Sequence, residues 1–408
     1  MIMINEIAKN IEKHLKALRE FTSTCGNGVT RFPFTKEAKM AVQYLEDEMK
    51  KIGLKTRIDE SGAIIGRLEG KEKRTIIIGS HYDSVKYGGE FDGIAGIVCG
   101  LEVARLLKEK DFSSKYSVEI IGTNDEEGAR FKSGFFSSKA MLGQLKVSDL
   151  EAFKDSDNIS IYDAMKDYGL NPDRIYEAKR NLEDIKAFLE IHIEQGPVLE
   201  KHGKDIGIVD TIVGMQRYMV NIQGRADHAG TTPMDMRIDA VEVAAKVISN
   251  IGDIARTYKN AVATVGSINV FPNEINTIAQ NVSFSIDIRS TKQEAVNSIY
   301  QKIKQWIENI TSKYNSKYSI TSTLSINPVD MNEGLKEKIE KSCIERKFLY
   351  EHINSGAGHD SLPMAEAVDT AMIFVPSKAG RSHSKEEFTS YEHLAKAALV
   401  ALDAIVNI

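Results

Sequence analysis

The chain has 408 residues, and at roughly 100–200 residues per domain that length calls for two or three domains and excludes a single small module. With 42% hydrophobic and 27% charged residues, 29 Gly and 8 Pro, the composition is that of a globular protein with a large core, not of a disordered, collagen-like or disulfide-scaffold chain. The 53 Lys and Arg against 58 Asp and Glu leave a net charge of −5, so there is no basic excess to hold a phosphate backbone and no nucleic-acid partner is expected.

Met1 to Asn10 alternates apolar with polar and charged residues and lacks the apolar core of a signal peptide. The longest apolar stretch, Gly93 to Ala104, is interrupted by Glu102 and falls short of the about 20 residues a bilayer span needs, so a soluble protein with no membrane partner is expected. Cys25, Cys99 and Cys343 are widely spaced and form no CxxC pair, which suits a reducing cytoplasm better than a disulfide framework or a zinc ribbon.

From Thr35 to Lys51, Ala38, Val42, Leu45 and Met49 recur at helical spacing and Gly53 follows as a stop, which predicts an amphipathic helix. Ala63 to Leu68 and Thr75 to Gly79 read as strands, the second apolar enough to be buried on both faces. A helix from about Gly96 to Lys108 and a strand from Val118 to Gly122 complete a strand-helix-strand alternation, the mark of an α/β layer. Ala187 to Ile193 is a further strand, leading into Glu194 to Lys201. After Asp210 the pattern becomes strand (Tyr218 to Gln223), helix (Ile238 to Tyr258), strands (Ala261 to Val270 and Val282 to Arg289), helix (Lys292 to Thr311) and strand (Ser319 to Ile326). Such a unit resembles a ferredoxin-like sandwich inserted in the first domain. Beyond Pro328 a helix (Asn332 to Lys347), a strand (Thr370 to Val375) and a last helix (Tyr391 to Val406) finish that domain.

Five short motifs collect the chemistry. In GSHYDSV (Gly79 to Val85), His81 and Asp83 lie two apart on extended backbone and share a side, so Asp83 can hold one ring nitrogen while the other binds a metal. Alone, that pair reads better as a solvated turn at a strand end. In GGEFDGIAG (Gly88 to Gly96), Asp92 is either a bridging carboxylate in a glycine-bracketed turn or an ordinary helix cap. In NDEEGARF (Asn124 to Phe131), Glu126 and Glu127 follow a buried strand and can divide into base and ligand, or simply charge the first turn of a helix. LEIHIEQGPVLE (Leu189 to Glu200) carries His192 on an apolar strand beside a polar turn, and GRSHSKEE (Gly380 to Glu387) carries His383 in a loop after a strand. Together His81, Asp92, Glu127, His192 and His383 make three imidazoles and two carboxylates after strands of one sheet, a set for two divalent ions. Such a pair would lower the pKa of a shared water from 15.7 toward roughly 7. Nitrogen and oxygen donors suit zinc, with manganese or cobalt as further occupants.

The order of these motifs, with the strings HIEQGP, HAGTTPM (His228 to Met234) and SGAGHD (Ser355 to Asp360), resembles the dinuclear zinc amidohydrolases that include N-carbamoyl-L-amino-acid hydrolases, allantoate amidohydrolases and β-ureidopropionases, relatives of the aminoacylase and carboxypeptidase metallohydrolases. The resemblance implies an α/β, metallopeptidase-like catalytic domain (1–210 and 328–408) with a central mixed sheet flanked by helices, and an inserted α+β ferredoxin-like lid and dimerisation domain (211–327). It implies that His81, Asp92 and His192 hold one metal, that Asp92, Glu127 and His383 hold the other, and that Glu126 is the general base. Arg289 with Asn276 beside it would take a substrate carboxylate, unless Arg289 is only a structural ion pair with an acid such as Asp287. Gln195, the Gly356 to Gly358 backbone and the SGAGHD loop with His359 would line the pocket. His228 would donate to the developing oxyanion, and in related enzymes it can come from the partner of a homodimer. The implied activity is hydrolysis of linear C–N bonds in small N-carbamoyl or ureido carboxylates. An aminoacylase or exopeptidase on the same scaffold is the rival, against which His192 stands, because the peptidase relatives usually carry a carboxylate there. Tyr82 and Ser84 stand where the family commonly has Leu and Thr, and Arg381 adds a cation two residues before His383 that either tunes substrate charge or points to solvent.

Overall fold

In the computed structural model, which describes residues 2–109 and 114–408, the first element is a helix that the apparent alternation of the N-terminus conceals. Ile2–Leu18 is helical because Ile7, Ile11, Leu15 and Leu18 recur at spacings of four and three, and all four are buried at 1% exposure or less. It packs on the helices Tyr391–Val406 and Ile94–Glu109. Ile11→Ala is expected to cost about 2–5 kcal/mol, read as a lower urea midpoint at unchanged slope. The next helix, Lys36–Ile52, starts on Thr35, whose hydroxyl accepts from the Ala38 N–H, and stops on Gly53 in the left-handed conformation (φ 85°).

The chain forms two compact units, Met1–Asp210 with Asp330–Ile408, and Thr211–Val329. Its strands, in chain order, are β1 (Lys55–Ile58), β2 (Ile64–Leu68), β3 (Glu72–His81), β4 (Tyr116–Thr123), β5 (Ile185–Ile193), β6 (Ile206–Ile212), β7 (Gly214–Gln223), β8 (Ala261–Thr264), β9 (Ile268–Phe271), β10 (Asn281–Ser290), β11 (Lys317–Ile326), β12 (Val329–Asp330), β13 (Tyr350–Ser355) and β14 (Thr370–Val375). In the first unit they form a mixed sheet of order β1-β2-β4-β3-β5-β14-β6-β12, with β13 on β6. Its centre, β4-β3-β5-β14, is parallel; β2 and β6 pair with it antiparallel, and β1 pairs antiparallel with β2. Alternate residues feed two cores: Ile76, Ile78, Val118, Ile120, Leu189 and Ile191 face the long helices, while Ile77, Ile121 and Phe188 face Met141 and Met364 on the other side. Burial on both faces explains why β14 reads as an apolar run, whereas in the equally buried β4 Glu119 interrupts the run and is paired with Arg67 and Arg180.

The second unit is an antiparallel sheet, β11-β7-β10-β8 with β9 also on β10, and the helices Ala240–Arg256 and Gln293–Lys313 cover one face. That is the strand order of a βαββαβ sandwich. Val282, Phe284, Ile286 and Ile288 of β10 are buried, and the odd-numbered residues between them lie half-exposed on the open face. The strand expected over Ala261 to Val270 is in fact two. Between them the ladder gives way to Ser285, whose N–H donates to the Ser267 carbonyl (3.1 Å) and whose hydroxyl accepts from the Ser267 N–H (3.1 Å). Among the described residues no helix is long and apolar enough to cross a membrane.

Candidate metal centre

The parallel strands deliver the site. β3 ends on His81, β4 ends three residues before Glu126, β5 carries His192 next to its last residue, and β14 leads into the loop of His383. All four carboxyl ends therefore open on one edge of the sheet, where α/β folds place ligands. Asp92 joins them from the turn before the helix Ile94–Glu109, which Gly93 permits: it takes φ 66°, and a Cβ there would collide with the His81 ring. The helix-cap alternative for Asp92 is not realised. Its carboxylate instead stands between two imidazoles, Oδ1 3.2 Å from His192 Nε2 and Oδ2 3.1 Å from His383 Nε2. Glu127 Oε1 lies 3.3 Å from the same His383 atom, and the Nε2 atoms of His81 and His192 are 3.5 Å apart. The donor atoms of His81, Asp92 and His192 all fall within 4.8 Å of one another, and so do those of Asp92, Glu127 and His383. Asp92 thus belongs to both triplets.

This set fits a pair of cations on three grounds. His81 Nδ1 is bonded to the Asp83 carbonyl oxygen (3.0 Å) and His192 Nδ1 to the Ile193 carbonyl oxygen (2.9 Å). An Nδ1–H donating to a carbonyl leaves the Nε2 lone pair of each ring facing inward. Glu127 Oε1 is buried and makes no hydrogen bond, an acceptor that a cation would satisfy. Finally, Gln195, Asp125 and His383 all hold left-handed backbone without being glycine (φ 57°, 55° and 55°), the kind of strain that collects at functional sites.

Asp83 departs from expectation. Its carboxylate stays 3.7 Å from His81 Nδ1, and the ring bonds the Asp83 carbonyl instead. The carboxylate is spent on the next loop, accepting the backbone N–H groups of Glu126 (3.1 Å) and Glu127 (3.3 Å). These two residues do not open a helix; they sit in an irregular loop that precedes the helix Phe136–Met141. Glu126 Oε2 is 3.8 Å from His81 Nε2. Burial pushes the Glu126 carboxyl well above the ordinary carboxylate range, and the charges of Glu127, Asp360, Asp83 and Glu190 push it the same way. At Asp92 burial also acts upward, but the hydrogen bond with His383 and the charges of His192 and His81 outweigh it and hold the carboxyl below its usual range.

Gln195 and His359, expected against substrate, have other partners. Gln195 Nε2 donates to both oxygens of Asp92 (3.3 and 3.2 Å), and His359 is 1% exposed behind His192, with ring centroids 4.4 Å apart and Nε2 bonded to Ser355 Oγ (3.0 Å). Gly358 is half-buried under the Phe135 ring, which a Cβ would strike. Arg381 is 57% exposed and faces Glu386 at 3.6 Å, so its cation points to solvent.

Three buried acids escaped the motif reading. Glu190 accepts from Ser80 Oγ (2.8 Å) and from the N–H and hydroxyl of Ser361 (2.8 and 2.7 Å); burial and the nearby Asp360 push its carboxyl up to about 7. Its place two residues before His192, on the same side of β5, is a signal in the sequence. Asp360 binds Thr123 and Ser138. Glu387 bonds the turn that carries Asp92.

In the second unit, His228 is exposed and bridges to Thr277, and the Ala229 N–H donates to the Asn276 carbonyl (2.9 Å), so His228 and Asn276 are neighbours. Arg289 is not beside them. Asn281 of β10 pairs with Gln223 at one end of the sheet and Arg289 pairs with Met215 at the other. Eight residues at about 3.3 Å rise put roughly 26 Å between those ends. Arg289 is instead joined to Asp287, Nε to Oδ1 at 2.8 Å and Nη2 to Oδ2 at 3.1 Å, and Arg217 shares that acid at 2.7 Å.

Residues 77–407 match the peptidase family M20/M25/M40. The chain belongs to that family. Among its relatives, an N-carbamoyl-L-amino-acid amidohydrolase of Paenarthrobacter aurescens is 38% identical over 97% of this chain and 96% of its own length. An allantoate amidohydrolase of Bacillus subtilis is 34% identical over 95% and 94%. A solved amidase of the hydantoinase/carbamoylase family from Burkholderia multivorans is 28% identical, covers 98% of this chain and 97% of its own, and has a TM-score of 0.91. Among the described residues four groups of His, Asp and Glu could hold a metal ion, and two of them share Asp92.

Proposed function

We propose that the protein hydrolyses linear C–N bonds in small N-carbamoyl or ureido carboxylates, with two divalent ions per subunit and Glu126 as general base. The observation that carries this reading is the sharing of Asp92 by two donor triplets with a buried carboxyl, Glu126, at their edge. The relatives named for carbamoyl amino acids and allantoate support the substrate class. His81, Asp92 and His192 would hold one ion, and Asp92, Glu127 and His383 the other; zinc fits the donors best, with manganese or cobalt next. When bound, the ions polarise the substrate carbonyl and make water acidic enough to attack near neutral pH. Glu126 would accept the proton of the attacking water and hand it to the nitrogen as the C–N bond breaks, so that ammonia leaves neutral.

Arg289, whose planar fork suits a carboxylate, would grip the substrate carboxylate. Because His228 and Asn276 lie at the opposite end of that sheet, one copy of the inserted unit cannot bring both ends to one small substrate. They would therefore serve different sites of a homodimer formed through this unit, which would also act as the lid, His228 donating to the oxyanion. Arg289→Ala is expected to raise KM by about 10–100-fold, the loss of one charge-assisted hydrogen bond, with kcat much less affected. Mixed with His228→Ala in equal amounts and assayed at substrate well below KM, it should recover about a quarter of the wild-type rate, since half the dimers are mixed and one site in each is whole. No recovery would place the three residues in one subunit's site. Three unpaired cysteines suit a cytoplasmic location.

The deciding test is ammonia release from N-carbamoyl-α-amino acids, N-carbamoyl-β-alanine and allantoate by protein loaded with zinc, manganese or cobalt. Cleavage of dipeptides or N-acyl amino acids without ammonia release from any of the three would replace this reading with an exopeptidase or aminoacylase.

A further inference from the structure

We infer that Glu387 is a positioning residue that fixes the two ligand-bearing loops of the metal centre to each other, an inference that rests on the paired-metal reading above. Glu387 is 4% exposed, and its Oε1 accepts the backbone N–H groups of Phe91 (3.0 Å) and Asp92 (2.9 Å), almost 300 residues away in sequence. Its Oε2 accepts from Ser382 Oγ (2.9 Å), and the same hydroxyl lies 3.3 Å from Asp92 Oδ2. One side chain therefore ties the turn of Asp92 to the loop of His383, two of the three members of the second triplet. The site has a parallel device on its other flank, where Asp83 accepts the N–H groups of Glu126 and Glu127. Each clamp takes two consecutive backbone N–H groups on one buried carboxylate, which sets the peptide planes and hence the direction of the following side chain. The closeness of the clamp is visible at Gly89, where a Cβ would run into the Glu387 carboxylate.

The helix holds the carbonyl side of this turn, with the Ile94 N–H on the Asp92 carbonyl (2.7 Å) and the Ala95 N–H on that of Phe91 (2.9 Å), and Glu387 holds its N–H side, while Gln195 and Ser382 touch only the Asp92 carboxylate. Glu387→Ala is expected to weaken retention of divalent ions by about 10–100-fold, the range for partners of metal ligands. The readout is zinc per subunit after dialysis against graded chelator, with kcat falling in step and KM nearly unchanged. Glu387→Gln keeps an oxygen for both N–H groups and is expected to retain zinc within about threefold of wild type. Glu387→Asp, one methylene short of the turn, is expected to fall with the alanine variant, and it stands in for that variant should alanine fail to fold. Zinc retention at the wild-type level in both the alanine and aspartate variants overturns the inference, as does a glutamine variant that behaves like alanine. A wild-type protein that retains no zinc, manganese or cobalt overturns the paired-metal reading itself.

Discussion

Glu126→Gln is expected to lower kcat by about 10²–10⁴-fold, the range that a positioned general base contributes, with KM, metal content and thermal midpoint close to wild type. The substitution is nearly isosteric, and the loop it sits in is held through its main chain: the Glu126 N–H donates to Asp83 and its carbonyl accepts from the Phe135 N–H at 3.0 Å. What is lost is the ability to take a proton. Steady-state ammonia release, measured beside metal analysis of the same preparation, decides the matter. Turnover within threefold of wild type would remove Glu126 from the mechanism, whereas a parallel loss of metal would move it from base to ligand.

Asp92→Ala is expected to abolish metal retention at both triplets, weakening it by more than about 100-fold, the upper end for partners that only support a ligand. No other side chain belongs to both sets. Activity should fall to background. The stability consequence has a definite sign: ions that bind only the folded state stabilise it by about 2.7 kcal/mol at a concentration of 100 Kd. Wild-type protein should therefore show a higher melting temperature with zinc than with chelator, and the Asp92→Ala midpoint should not respond to either. Without its carboxylate His192 and His383 also lose their shared partner, so the chelated variant should melt differently from chelated wild type. A metal-dependent midpoint in the variant would mean that Asp92 is not the bridge.

Much of the scaffold is legible along the chain, for reasons that differ by element. The helix Lys36–Ile52 declares itself through four buried positions at helical spacing, a threonine cap and a terminal glycine, all within one stretch. The parallel strands declare themselves by apolar runs, since both faces are covered. Where a local signal is weaker the reading fails in intelligible ways: the first helix hides behind interspersed charges, and the break between β8 and β9 depends on Ser285 across the ladder. The candidate ligands gather at one edge because His81, Glu127, His192 and His383 end or follow parallel strands, while Asp92 joins them from the turn before a helix.

What the sequence by itself determined is therefore the list of groups: three imidazoles, the acids Asp92, Glu126 and Glu127, and the strands that carry them. Local periodicity and turn chemistry encode these, because they depend on residues a few positions apart. Which atom meets which was decided only by the tertiary structure. His81 turns to the Asp83 carbonyl, Asp83 clamps the loop of the base, Glu387 reaches the turn of Asp92 from the far end of the chain, and Arg289 stands a strand's length from Asn276. These contacts depend on register and on loops brought together across the sheet. No pattern within a single segment carries that information, because the free energy that sets them comes from burying polar groups with their partners, and the partners are distant in sequence.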